Sequence, residues 1–222
     1  MFDRLRLIFD ENDLKKLKNI KVLLVGLGGV GGMAFEILIR SGVSNITVCD
    51  YDTFELSNLN RQVLSNLNNI GKKKVLVAKE YALNVNNEVK IDCIDEKISE
   101  DFLSNYNKKY DYIIDACDDL KAKISLIKYS LKNNIKIITC CGTGNKINPE
   151  KLTITNIFNT NYDPLAKKIR NELRKEKINK KIMVVSSSEE PIRKDKNIGS
   201  IATVTNYAGI LLASYVINDI LK

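Results

Sequence analysis

The run VGLGGVGG, residues 25–32, restricts this chain more than any other feature, because it follows an unbroken apolar stretch and leads into an amphipathic one. Gly26, Gly28 and Gly31 meet the spacing GxGxxG, with Gly29 inside it. A strand that ends in such a run and passes into a helix offers bare backbone N–H groups and a helix N-terminus to an anion. Asp50 stands 19 residues beyond Gly31, at the end of a second apolar run, where a carboxylate accepts ribose hydroxyls. A nucleotide site on a parallel sheet is expected. The glycine loop by itself leaves a dinucleotide redox cofactor and ATP both open.

The rest of the chain keeps the same rhythm. Apolar runs of five or six residues alternate with amphipathic stretches of ten or more, the pattern of a doubly wound, mostly parallel, Rossmann-like α/β sheet. The expected elements are a strand over Ile20–Gly26, the glycine turn, a helix over Met33–Gly42 and a strand ending at Asp50. A helix around Lys73–Leu83, the strand VKIDCI and a helix near Asp101 come next. A strand ending at Ala116, a helix around Ala122–Lys132 and the strand KIITCC close this part. After Cys141 a turn with an alternating strand, a helix over Pro164–Glu176 and the strand KIMVVSS read as a mixed or antiparallel extension of the same sheet. No linker separates the halves, so 1–222 reads as one domain, with 1–141 binding nucleotide and 142–222 adding the extension and a C-terminal helix. The last segment is long enough to span a bilayer, but Asn206, Ser214, Asn218 and Asp219 interrupt it, so it reads as a helix packed on the sheet and no membrane is expected.

Composition removes several chemistries. With 222 residues, 44% of them hydrophobic, the chain can bury one sizeable core. It has no histidine, which excludes every histidine-dependent mechanism. Its five cysteines, none at a CxxC spacing, form neither a disulfide framework nor a tetrathiolate metal site, so no zinc is expected and the thiols read as reduced and cytoplasmic. The N-terminal stretch carries acidic residues where a signal peptide needs an apolar run. Asp163 to Lys196 hold eleven basic and six acidic residues, +5 of the net charge of +8. Such a segment favours a polyanionic partner, and a solvated helix face accounts for it as well.

The loop DYDTFELSNLNRQ, Asp50 to Gln62, turns the reading toward ATP. Arg61 is a fork donor suited to phosphate, Asn58 and Gln62 are neutral hydrogen-bonders, and Asp52 is a second carboxylate; hydride transfer requires none of these, whereas a triphosphate uses them all. Lys74, in GKKKV at a helix start, can neutralise developing pyrophosphate charge, although Lys72 and Lys73 are equally available. Asp115 and Asp118 flank the end of the fourth strand, and either can offer hard oxygens to magnesium; Asp118 or Asp119 can equally serve as a helix N-cap.

GLGGVGG, DYDTFELSNLNRQ, IGKKKV and IIDACDD resemble, in order and spacing, the adenylating enzymes related to ubiquitin-activating enzyme, including the bacterial sulfur-carrier adenylyltransferases of thiamine and molybdopterin synthesis. The resemblance implies an enzyme that activates a carboxylate as an acyl-adenylate and releases pyrophosphate. Asp50 would hold the ATP ribose, Arg61 and Lys74 the phosphates, and Asp118 would organise Mg2+. Arg4 aligns with an N-terminal arginine that reaches into the partner subunit's site, which implies a homodimer. The second half, CCGTGNKINPEKLTITNI with YDPLAKKIRNELRK and VVSSSEEP, is similar to the tRNA threonylcarbamoyladenosine dehydratases, and the likeness then covers nearly the whole chain. It implies tRNA as partner, with the modified adenosine beside the anticodon as the reacting group. The stretch between Glu190 and Gly199 is short for that family.

Such chemistry needs no side-chain nucleophile, which suits a chain without histidine. Cys140 and Cys141 read as small buried residues at a strand end. The alternative acceptor is the C-terminal glycine of a ubiquitin-like sulfur-carrier protein; a nicotinamide-dependent dehydrogenase and a non-catalytic tRNA-binding or sulfur-transfer partner are further alternatives.

Overall fold

A computed structural model describes residues 2–193 and 198–222. Of the basic segment, Lys194 and Lys196 lie outside the described residues. In chain order the main elements begin with α1 (Glu11–Asn19), β1 (Lys21–Val25), α2 (Gly29–Arg40), β2 (Asn45–Cys49), α3 (Lys74–Val85), β3 (Lys90–Ile94) and α4 (Glu100–Ser104). They continue with β4 (Tyr112–Asp115), α5 (Leu120–Asn133), β5 (Lys136–Cys140), β6 (Leu152–Asn156), α6 (Pro164–Lys175), β7 (Met183–Ser187) and α7 (Ala202–Ile220).

The strands form one seven-stranded sheet in the order β3-β2-β1-β4-β5-β7-β6. Successive residues of a strand face opposite ways, so each apolar run supplies two cores. Val22, Leu24, Ile46, Val48 and Ile114 meet α2, α3 and α7 on one face. Leu23, Val25, Ile113 and Val184 meet α5 and α6 on the other, through Leu126, Ile127, Ile169 and Leu173. This double burial explains why the strands read as continuous hydrophobic runs.

The extension is mixed, as expected: β7 pairs parallel with β5, and only the edge strand β6 runs antiparallel, against β7. The passage from β6 through α6 is long enough to bring the chain back in the original direction and insert β7 between its neighbours. The second helix starts at Gly29, four residues before the expected start, so Gly29, Gly31 and Gly32 belong to its first turn. Glycine is a poor helix former, and packing overrides the propensity. The N-terminal α1, whose cap Asp10 accepts a hydrogen bond from the Asp13 N–H at 2.8 Å, had no counterpart in the sequence reading.

α7 lies directly on α2. A Cβ at Gly209 would sit 2.3 Å from the Val30 carbonyl oxygen, so the two backbones are in contact there. Among the described residues no helix is long and apolar enough to cross a membrane. Asp219, one of the polar interruptions, accepts hydrogen bonds from the Tyr112 hydroxyl and the Lys136 ammonium, each at 2.6 Å.

Candidate active site

Strand order reverses at β1, which has β2 on one side and β4 on the other, and open α/β sheets bind ligands beyond the carboxyl ends of the strands at such a point. A cavity of about 880 Å³ lies there. Gly26 adopts φ +89°, and a Cβ on it would meet the Ala116 carbonyl oxygen at 2.8 Å. A Cβ on Gly31 would lie 1.8 Å from the Gly26 carbonyl oxygen. At Gly26 and Gly31 the loop is folded too tightly on itself for a side chain. Gly28, the N-cap of α2, has no side chain to satisfy the first N–H groups of the helix, which leaves them for a ligand.

Asp50 is buried at the carboxyl end of β2, where its Oδ2 accepts the Leu27 N–H at 2.6 Å and its Oδ1 accepts the Asp52 N–H at 2.9 Å. Each oxygen keeps a further lone pair. Asn58 and Gln62 are buried along the same wall as Gly28 and Gly29, and the Gln62 Oε1 has no hydrogen-bond partner among the described residues. An orphaned buried acceptor facing a cavity is a strong sign of an absent ligand donor. Arg61 is held in place by its Nη1, which donates to the Ser57 carbonyl at 2.8 Å and to the Asn60 Oδ1 at 2.9 Å.

The structure separates groups that the sequence left equivalent. Lys74, at the start of α3, lines the cavity with its ammonium 3.2 Å from the Asp52 Oδ2. Lys73 turns away to Asp95 and the Tyr51 carbonyl. Asp119 is the N-cap of α5, and its Oδ1 accepts the Ala122 N–H at 3.0 Å. Asp115 is fully buried and bonded to Lys123 at 3.0 Å and to Thr139. Asp118 remains, exposed in the cavity and without a hydrogen bond or ion pair among the described residues. Arg4 is exposed and does not line this cavity. Nearby Phe2 packs beside Gly42, just past the far end of α2.

The cysteines are poor nucleophiles. Burial pushes the Cys140 thiol up to about 12, and burial with the neighbouring Asp115 carboxylate holds Cys117 well above its usual range.

The cavity continues past the ends of β4 and β5 to a second end, lined by 142–146, Asp163, Lys168, Arg193 and Ile198. Below it, Lys146 and Asp163 form a fully buried ion pair at 3.5 Å, and Lys146 also donates to the Gly142 carbonyl at 2.9 Å. Sequence reading had not found Lys146, Asn145 or Arg193 as parts of a site, nor Asn206. With its amide nitrogen toward the glycine loop, Asn206 donates to the Gly29 and Arg61 carbonyls at 3.0 and 2.9 Å. The basic helix is also not one continuous cationic face: Arg170 turns inward and donates to the Thr160 carbonyl at 3.1 Å.

The model of the ThiF family matches residues 2–222. The chain belongs to the ThiF family. Within that family it is 35% identical over 240 aligned positions to the tRNA threonylcarbamoyladenosine dehydratase of Bacillus subtilis, covering 100% of this chain and 94% of the relative. The dehydratase of Haemophilus influenzae is 37% identical over 79% of this chain and 67% of its own. The crystal structure of the E. coli tRNA N6-threonylcarbamoyladenosine dehydratase, TcdA, in complex with ATP superposes with a TM-score of 0.92 at 30% identity, over 99% of this chain and 93% of TcdA. A relative with this fold thus binds ATP.

Proposed function

We propose that this chain is an ATP-dependent tRNA threonylcarbamoyladenosine dehydratase. The observation that carries the reading is the 35% identity to a dehydratase across the whole chain, with none of the second half left over. The threonyl carboxylate attacks the α-phosphorus of ATP and pyrophosphate leaves. The carbamoyl group of the same modified adenosine then attacks the mixed anhydride and gives up an N–H proton, AMP departs and a ring closes. The net change in the nucleoside is the loss of one water.

Positioning and charge stabilisation supply the rate. Asp50 takes the ribose hydroxyls, and the N–H groups of Gly28 and Gly29 take phosphate oxygens. Gln62 and Asn58 complete the polar wall, and Arg61 and Lys74 meet the charge of departing pyrophosphate, with Asp52 holding Lys74 in place. Asp118 fits Mg2+, which uses one or two carboxylates together with substrate phosphates and shields their charge when bound. The 1–222 chain is one adenylating domain. It works in the cytoplasm, where its five free thiols stay reduced.

The active unit is a homodimer. Leu56, Leu59, Val63 and Leu67 expose an apolar surface on the loop that carries Arg61, which favours burial against a second copy. Arg4, remote from its own cavity, acts in the other. An inactive Arg4→Ala subunit mixed with an inactive Lys74→Ala subunit regains partial activity, since one hybrid site receives both residues; no recovery after subunit exchange would place Arg4 outside the mechanism.

Mass spectrometry of nucleosides from modified tRNA incubated with the protein, ATP and magnesium tests the reaction. A product lighter by one water is expected. An unchanged nucleoside, with pyrophosphate exchange driven by a sulfur-carrier protein, would replace this reading with an adenylyltransferase like the molybdopterin-synthase relative of Haemophilus influenzae, 32% identical over 62% of this chain.

A further inference from the structure

The strand ends lay out the cavity in order. The glycine loop follows β1 and the 142–146 loop follows β5, two strands away across β4, which at the usual strand spacing is about 10 Å. The two ends differ in how their cations are used. At the nucleotide end Arg61 is bonded to the Ser57 carbonyl and Asn60, and Lys74 to Asp52. At the β5 end Lys168 and Arg193 line the cavity, are exposed, and their side chains make no hydrogen bond or ion pair among the described residues.

Arg193 does not hang on a loose segment. Asn145, in the left-handed region at φ +56°, donates from Nδ2 to the Arg193 carbonyl at 3.2 Å and accepts the Ile192 N–H on its own carbonyl at 2.9 Å. Its Oδ1 accepts the Gly199 N–H at 2.7 Å, and its own N–H donates to the Gly199 carbonyl at 2.8 Å. One residue thereby fixes both Arg193 and Gly199 against the β5 loop. Pro164, Leu165, Pro191 and Ile198 add apolar lining to this end, beside the polar Thr143 and Asn145 and the buried Lys146–Asp163 pair.

We propose that this end of the cavity is the acceptor-nucleotide subsite, in which the apolar lining receives the modified base while Lys168 and Arg193 each bind a backbone phosphate beside it. The assignment rests on the dehydratase reading above and adds to it the residues that hold the acceptor. Apolar lining residues together with exposed, unpaired cations suit a base extruded from a polynucleotide, whose phosphates stay near the surface. Arg170, turned into the protein, takes no part.

The test compares two substrates that share the reacting group and differ in phosphate: an anticodon stem–loop carrying threonylcarbamoyladenosine, and the free modified nucleoside. Lys168→Glu and Arg193→Glu each raise KM for the stem–loop on the order of 10-fold or more, and each lowers the slope of log affinity against log salt by about one. The penalty on the free nucleoside is at least about 10-fold smaller, since that substrate has no phosphate to lose. ATP calorimetry and thermal melting establish that each variant is folded. Equal penalties on both substrates, or none on the stem–loop while the parent turns it over, would overturn the subsite alone. A parent protein that turns over neither substrate would overturn the dehydratase reading, and the subsite with it.

Discussion

Replacing Lys123 with methionine lowers the free energy of unfolding by about 3–5 kcal/mol, the cost of leaving a buried charge without its partner. Lys123 and Asp115 are both fully buried, and the ammonium bonds the Asp115 Oδ2 at 3.0 Å and the Thr139 hydroxyl at 3.1 Å. Burial is the largest single influence and opposes the charged ammonium, but the Asp115 carboxylate and the neighbouring Cys117, Cys140 and Cys141 together outweigh it and hold the Lys123 pKa above its ordinary value. With the lysine gone, the carboxylate keeps hydrogen bonds from Thr139 and Cys117 but no opposite charge. Adding Asp115→Leu recovers most of the loss, because apolar residues of similar volume replace buried ion pairs at little net cost. Urea denaturation of the two variants checks both parts; equal instability of single and double variants would locate the effect in packing instead. Asp115 also accepts the Cys117 N–H at 3.2 Å and the thiol at 3.0 Å, which shapes the loop carrying Asp118. The stable double variant is therefore expected to remain slow.

Arg61→Ala lowers the rate of pyrophosphate exchange at saturating ATP by about 10²–10³-fold, the range found when one preorganised donor to developing charge is removed. Its two local hydrogen bonds hold the guanidinium in place before the reaction, so little reorganisation is needed as charge builds on the leaving group. Arg61→Lys restores the charge and not the planar fork, and rescues only part of the rate. Neither change removes core contacts, so stability stays within about 0.5 kcal/mol of the parent. A parental exchange rate in Arg61→Ala would remove this side chain from the chemistry.

The glycine loop, Asp50 and the alternation of strands and helices were readable because each depends on spacing within a short stretch. Which neighbour acts was not. Lys72, Lys73 and Lys74 are alike as letters; Lys74 reaches the cavity because α3 begins at that residue and turns it toward Asp52. Asp118 and Asp119 separate only once Asp119 is seen to cap α5. The second end of the cavity was hidden for another reason. Asn145, Lys168 and Arg193 meet because β7 lies next to β5 while β6 occupies the edge, an order that no local periodicity records. The helix start at Gly29 was missed because its propensity is poor and its support comes from a distant element.

That support sets when the site can exist during synthesis. The amide of Asn206 reaches the Gly29 carbonyl, Gly209 presses its backbone on Val30, and α7 covers the apolar side of α2. The glycine turn leaves a ribosome well before α7 does. Contacts between such distant positions form late and slow the search for the native state. A nascent chain stopped before residue 202 carries the whole glycine fingerprint and still lacks the surface against which that turn is moulded. ATP binding is therefore expected to wait for α7, even though the glycine fingerprint is complete long before it.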